Sequence, residues 1–302
     1  MVRGKNESDT DSVLVTRRDT RFFSMPLTQK PESGLKLADV VEFDPIAQPW
    51  NKFGGNSRFS KFHAKFLGKS MVDEEREWLN LKTQSPDHST DDVIMDDTDD
   101  EFISGCYELD ISPNPVSDVE KIWIRADYIR VYKYTESKYN LCYKRRRAQA
   151  VVLTGQPGIG ECVCLYLQDP VLIRCHEGKT VFLLYMLRRR CAEKKPVIWY
   201  DGLDRYIFVD DGVYNMAPDF HMNEFRIFVW TLVDSDQAQG GVPPELVRNR
   251  TRLFVLYPSS PNSYRWKRLH KTVDDITLVM NPWTWREMRR MCVCYILQYA
   301  SY

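Results

Sequence analysis

The chain has 302 residues, 43% of them hydrophobic and 13% aromatic, enough apolar material for one sizeable core in one or two domains. Lysine plus arginine equals aspartate plus glutamate at 42 each, so net charge offers no argument for a nucleic-acid or membrane partner. The lack of a bilayer-length apolar run and of a charged-then-apolar leader predicts an intracellular protein, in cytoplasm or nucleus, with no membrane association.

Residues 1–115 read as a largely disordered or peripheral N-terminal arm and an acidic linker. Roughly the first 40 are polar and charged with no period. Residues 50–69 interleave Phe53, Phe59, Phe62 and Phe66 with Lys52, Arg58, Lys61, Lys65 and Lys69. Such interleaving suits base stacking against nucleic acid, but a short helix or hairpin laying its Phe face on a core is the simpler reading. Residues 87–101, DHSTDDVIMDDTDDE, are dense in acid, and self-repulsion predicts a solvated, extended linker. The compact domain is expected over 116–290. At its start, residues 120–143 set Ile122, Ile124, Tyr128, Ile129 and Tyr132 among charges and predict one or two helices leading into a strand.

That strand is expected at 148–154, AQAVVLT, a short apolar run. It leads into Gly155-Gln156-Pro157-Gly158-Ile159-Gly160, the first part of a phosphate-binding loop of the form G-x-x-x-x-G-K-[ST]. The closing Gly178-Lys179-Thr180 comes only after an interruption; without residues 161–178 the chain reads GQPGIGKTVFLLYMLRRR, with no mismatch to the motif. Such a loop works because successive backbone N–H groups at a helix N-terminus curl around phosphates, while the Lys reaches the terminal phosphates and the hydroxyl ligates Mg²⁺. After it, Val181, Phe182, Leu184, Tyr185 and Leu187 recur at helical spacing, and Arg188, Arg189 and Arg190 fall where positive charge suits the helix dipole.

The interrupting residues, ECVCLYLQDPVLIRCHEG, share no pattern with either flank and read as a translated intron. Gly160-Glu161-Cys162 is encodable by GGT-GAG-TGT, which contains the splice-donor sequence GTGAGT; Arg290-Met291-Cys292 is encodable by CGT-ATG-TGT, and residues 291–302 read as an aberrant tail. Cys162, Cys164, Cys175 and His176 are soft ligands, but their spacing matches none of the paired zinc knuckles. With Cys292 and Cys294 in the tail, only Cys106, Cys142 and Cys191 remain, too few for a disulfide framework.

Downstream, 196–200 (PVIWY) predicts a parallel strand, and 205–209 with 210–214 a hairpin. Residues 225–233, FRIFVWTLV, are a near-continuous apolar strand ending in Asp234-Ser235-Asp236, as a Walker B strand ends. There Asp234 would hold Mg²⁺ beside the Thr180 hydroxyl, and Asp236 would orient a water. A strand at 252–257 runs into Pro258-Ser259-Ser260-Pro261, placing Ser260 where a γ-phosphate would be sensed, although plain turn chemistry explains Ser-Ser-Pro equally well. Arg265 and Lys267 would reach a phosphate or face solvent. Residues 280–288, MNPWTWREM, begin a helix after a turn.

Taken in order, IRADYIRVYKY, VVLTGQPGIG with its separated KT, RIFVWTLVDSD, LFVLYPSSP with RWK, and MNPWTWREM resemble a family of fungal P-loop proteins related to the Crinkler and retrotransposon-hot-spot NTPases. The resemblance covers roughly residues 120–288 and implies an α/β three-layer NTPase domain of the RecA/AAA-like ASCE type, often joined to further domains, some nuclease-like. It implies Mg²⁺-dependent binding and hydrolysis of ATP or GTP, with Lys179, Asp234 and Asp236 catalytic and Gly155 to Gly160, Gly178, Lys179, Thr180 and Ser260 around the nucleotide. The chain departs from the family in its split loop and in ending soon after MNPW. The split predicts impaired hydrolysis, since losing the Lys contacts costs orders of magnitude in rate. The alternative is a non-catalytic interaction protein, or a degenerate, mis-spliced product of the same family.

Overall fold

The computed structural model describes residues 33–42, 50–71, 106–155, 178–202, 204–234, 241–248, 251–284 and 287. In chain order these form α1 (Leu37–Val40), β1 (Asn51–Lys52), α2 (Arg58–Phe66), β2 (Cys106–Asp110), β3 (Lys121–Arg125), α3 (Ala126–Arg145), β4 (Gln149–Thr154) and α4 (Gly178–Ala192). Then follow β5 (Val197–Tyr200), β6 (Arg205–Val209), β7 (Gly212–Asn215), β8 (Val229–Val233), β9 (Leu253–Pro258), α5 (Lys267–Thr272) and β10 (Asp274–Val279). Eight strands make one mixed sheet in the order β1-β7-β6-β5-β8-β9-β4-β10, and β2 pairs with β3 apart from it. From β5 to β10 the pairings are parallel; β6, β7 and β1 extend the sheet antiparallel. The protein is thus α/β.

Burial alternates along every parallel strand of the sheet's centre. Val151, Leu153, Trp199, Trp230, Leu232, Phe254 and Leu256 enter one apolar cluster, while Ala150, Val152, Ile198, Val229, Val233, Val255 and Tyr257 enter another on the opposite face. Two covered faces are what continuous apolar runs such as VVL and FVWTLV require. The first face is closed by α2, α3 and α4. The second is closed by shorter pieces: Leu37 and Val40 of α1, Trp50, Phe220, Phe225, Leu246, Trp266 and Leu269. Described residues before 116 therefore belong to the core rather than to a peripheral arm, and the Phe face of α2 docks as expected, with Phe62 and Phe66 buried.

Residues 120–143 hold one strand and one helix instead of helix throughout. Alternation at Ile122 and Ile124 pairs β3 with β2, and only from Ala126 does the helical period take over. α3 turns Tyr128, Tyr132, Tyr139 and Tyr143 to the core. The hydroxyls of Tyr139 and Tyr143 both donate to the Phe228 carbonyl, at 2.7 and 3.1 Å, and Tyr143 accepts from the Phe228 N–H, which fixes where β8 begins. α4 is apolar all round because it is sandwiched, and its terminal arginines are not solvent-facing. Arg188 and Arg190 are buried, the first guanidinium 4.0 Å from the Phe66 ring centroid and the second 4.7 Å from Trp230.

β10, which the sequence reading missed, lies at the edge of the sheet and leads into a clamp. Arg125, 1% exposed, donates to Glu287 at 3.2 and 3.0 Å, to the Asn281 carbonyl at 2.9 Å and to the Pro282 carbonyl at 2.7 Å, and stacks on Trp283. Asp127 accepts from the Asn281 backbone and side chain, and Thr284 and Glu287 cap each other reciprocally. Removing one partner of a buried pair leaves the other charge uncompensated. Glu287→Ala is expected to lower stability by about 3–5 kcal/mol in urea unfolding, and Arg125→Met with Glu287→Leu to lower it less than the single change.

Candidate functional site

The carboxyl ends of β4, β5, β8 and β9 lie side by side, so the residues that follow each strand meet along one edge. Pairing of Tyr200 with Val233 sets Asp201 next to Asp234, whose N–H donates to the Tyr200 carbonyl at 3.1 Å. Pairing of Leu153 with Pro258, with the Ser259 N–H on the Leu153 carbonyl at 2.8 Å, brings Gly155 beside the Ser259-Ser260 turn. The two-residue alternation that turns Trp230 and Leu232 toward α4 carries Asp234 to the same side, as Val197 and Trp199 do for Asp201.

α4 begins at Gly178 on that side, with Lys179 and Thr180 half-buried in its first turn. The Thr180 Oγ1 lies 3.4 Å from Asp234 Oδ2, and Asp234 is 5% exposed. That separation is a long hydroxyl–carboxylate contact, and it exceeds by a few tenths of an ångström the roughly 3 Å between neighbouring ligands of an octahedral Mg²⁺. Both are hard oxygen donors. No cluster of three or more His, Cys, Asp or Glu suited to a metal occurs among the described residues. A nucleotide-bound Mg²⁺ needs fewer protein ligands, because phosphates and waters complete its shell.

Of the other residues singled out in the sequence, Gly155 follows β4 directly and Ser260 is half-buried at the end of β9. Gln156, Pro157, Gly158, Ile159, Gly160 and Asp236 lie outside the described residues, as do Cys162, Cys164, Cys175 and His176. Lys267 is exposed, and the Arg265 carbonyl accepts from Val242 N–H at 3.4 Å. The chain returning from Asp234 presses on this turn at Gly241, where φ is +85° and an added Cβ would stand 2.6 Å from the Arg265 oxygen.

Two groups at the edge were not foreseen. Ser259, one position before the expected serine, is fully buried, and its Oγ has no hydrogen-bond partner among the described residues. Asp201 has its carboxyl held above the ordinary range, chiefly by burial, with the charges of Asp204 and Asp234 adding to it and the Asp204 N–H opposing. The signal was available, since PVIWY followed by Asp is the same apolar-strand-then-carboxylate pattern that marked Asp234. The thiols of Cys142 and Cys191 are pushed up to about 12 by burial, which removes them as nucleophiles at neutral pH.

No protein-family model, curated protein or solved structure matches the chain. No helix among the described residues is long and apolar enough to cross a membrane.

A carboxyl with a raised folded-state pKa binds more protons folded than unfolded, so its contribution to stability falls as pH rises through the interval between the two values. Asp201→Asn removes that term. The variant is expected to gain in melting temperature relative to the parent at pH 7 and to show little gain at pH 3, read by thermal unfolding across pH.

Proposed function

We propose that this edge binds a nucleoside triphosphate with Mg²⁺ and hydrolyses it to the diphosphate and phosphate. The observation that carries the reading is the approach of Thr180 to Asp234, two residues 54 apart in sequence. One opens a helix directly after Gly-Lys; the other ends a strand buried on both faces. The strand order adds support. With β4, β5, β8, β9 and β10 taken as first to fifth, the spatial order is fifth-first-fourth-third-second, so β9 is interposed between the loop strand and the acidic strand. That interposed strand is the additional strand of the ASCE class, to which the sequence motifs bear resemblance. Ligands of open α/β sheets bind outside the carboxyl ends of the strands, which is where these residues sit.

In this reading the α4 N-terminus and Lys179 hold the β- and γ-phosphates, and Thr180 and Asp234 hold the metal. Bound Mg²⁺ supplies charge neutralisation on the phosphate oxygens. Asp201, beside Asp234 and with a raised pKa, orients the attacking water and accepts its proton as the bond to the leaving diphosphate breaks; this is the role expected of Asp236 from sequence. Ser260, and Ser259 with its free hydroxyl, line the γ-phosphate side. Thr180 lies 3.4 Å from Asp234 with residues 161–178 present in the chain, which supports a metal-holding pair that tolerates the interruption. The interruption bears on the glycine cradle instead.

The test is Mg²⁺-dependent binding and turnover of ATP and of GTP by the chain and by a version lacking residues 161–178. Binding is expected in both and faster turnover in the shortened form. Lys179→Ala should lower turnover by about 10²–10³-fold or more, as loss of a charge-stabilising donor does. Asp201→Asn should reduce turnover while leaving nucleotide affinity within a few-fold. Folded protein that binds neither nucleotide in either form overturns the proposal and leaves a non-catalytic interaction protein.

A further inference from the structure

Balance of charge over the whole sequence does not prevent a local excess among the described residues. At the amino ends of β4, β8, β9 and β10, opposite the edge just described, three chain segments bring cations together. Lys144, Arg145, Arg146 and Arg147, all exposed, end α3 and lead into β4; Arg226 precedes β8, and Arg252 precedes β9. Tyr143 bonds to both backbone groups of Phe228, Val229 N–H donates to the Arg252 carbonyl, and an Arg252 guanidinium nitrogen donates to the Arg226 carbonyl. The acids nearby are Asp274, which pairs with Arg147 at 3.2 Å, Asp275, which pairs with His270 at 2.7 Å, and Glu42 and Glu224, whose backbones are hydrogen-bonded to each other. Six cations therefore stand against four carboxylates.

Helix-dipole complementarity accounts for Lys144 and Arg145, which lie in the last turn of α3. It does not account for the rest. Arg146 sits beyond the helix at φ 52°, ψ 33°, a left-handed position that glycine or asparagine fills without strain, and Arg226 and Arg252 arrive from other segments. Lys194 stands in the same left-handed conformation but lies 3.7 Å from Asp210, whereas Arg146 stands inside a run of like charges, which favours a ligand for that charge.

We propose that this basic edge binds the phosphate backbone of a nucleic-acid duplex. Five of the six cations are arginines, whose planar fork matches phosphate oxygens two at a time. Among the described residues, none of the exposed large hydrophobics, Val116, Tyr134, Tyr264 and Val279, lies on these segments, so these segments present neither a wedge for a bilayer nor a platform for base stacking. Contact is to backbone phosphates and sequence-independent. The edge is distinct from the one carrying Lys179 and Asp234, and the inference stands whether or not that edge binds nucleotide.

Fluorescence anisotropy of a fluorescein-labelled 30-base-pair DNA duplex, titrated with the full chain at several salt concentrations, tests it. The logarithm of the binding constant is expected to fall against that of salt with a slope of about −3.5 to −5.5, as for four to six phosphates neutralised. Lys144→Gln, Arg145→Gln and Arg146→Gly together should flatten the slope by about 2–3 and weaken binding at least tenfold. An equal charge loss elsewhere, Lys61→Gln, Lys69→Gln and Lys133→Gln, all exposed positions, should change neither. Should the triple variant fail to fold by circular dichroism, Arg146→Gly alone, which relieves the left-handed residue, should flatten the slope by about 1. A parent slope shallower than about −1, an equal loss in the control, or binding to phosphatidylserine vesicles without binding to the duplex overturns the proposal.

Discussion

Because the parallel strands at the centre of the sheet are covered on both faces, the positions along them where a charged group can meet polar partners or solvent are concentrated at their two ends. Much of the molecule's polar character follows. Alternate residues of β4, β5, β8 and β9 are committed to one apolar layer or the other, so the carboxylates Asp201 and Asp234 appear at one end and Arg226 and Arg252 at the other. The pairing registers then decide which polar groups become neighbours. Tyr200 opposite Val233 makes Asp201 and Asp234 adjacent, and Leu153 opposite Pro258 brings the glycine after β4 to the serines after β9.

α4 is the element through which this constraint reaches the candidate site. Its first turn presents Lys179 and Thr180 to the sheet edge, and its last turn is anchored by two buried arginines among Phe66, Tyr139 and Trp230. A helix held at its far end by planar stacking over rings from three different elements has little freedom to slide along the sheet. The position of Thr180 relative to Asp234 is thereby fixed from the other end of the helix as well as by the local contact. The Arg125 clamp performs the corresponding task for the edge strand, tying the residues after β10 to the start of α3.

The legible part of the fold was the part governed by continuous burial. β4, β5, β8 and β9 read as apolar runs, and the β6–β7 hairpin was marked by Asp210-Asp211-Gly212 between two strand-like segments. β10 was not legible because an edge strand has one neighbour and needs no unbroken apolar run; Asp274-Asp275 at its start resembles a linker. β3 was absorbed into the helix that follows it because its Ile-x-Ile alternation also fits a helical period over so short a span. Arg188 and Arg190 fall at the end of the helix as expected, but their burial was not legible, because sequence does not reveal that aromatic side chains from α2, α3 and β8 would enclose them. Within the site, Thr180 and Asp234 were found from motif spacing. Asp201 was passed over because only the strand order shows that the end of β5 adjoins the end of β8. Likewise, a balanced total charge concealed the local gathering of cations at the amino ends of β4, β8 and β9.

The interposition of β9 also has a consequence for synthesis of the chain. β4 leaves the ribosome flanked by neither of its partners, since β9 and β10 are both encoded later and Leu153 must wait about a hundred residues for Pro258. During that interval an apolar strand and the apolar helix that follows it are made without the surfaces that will cover them. Contacts so distant in sequence close late and slowly, and the exposed edge of β4 is open to pairing with other chains in the meantime. Nascent-chain length, rather than the stability of the finished sheet, then sets how long that edge stays uncovered.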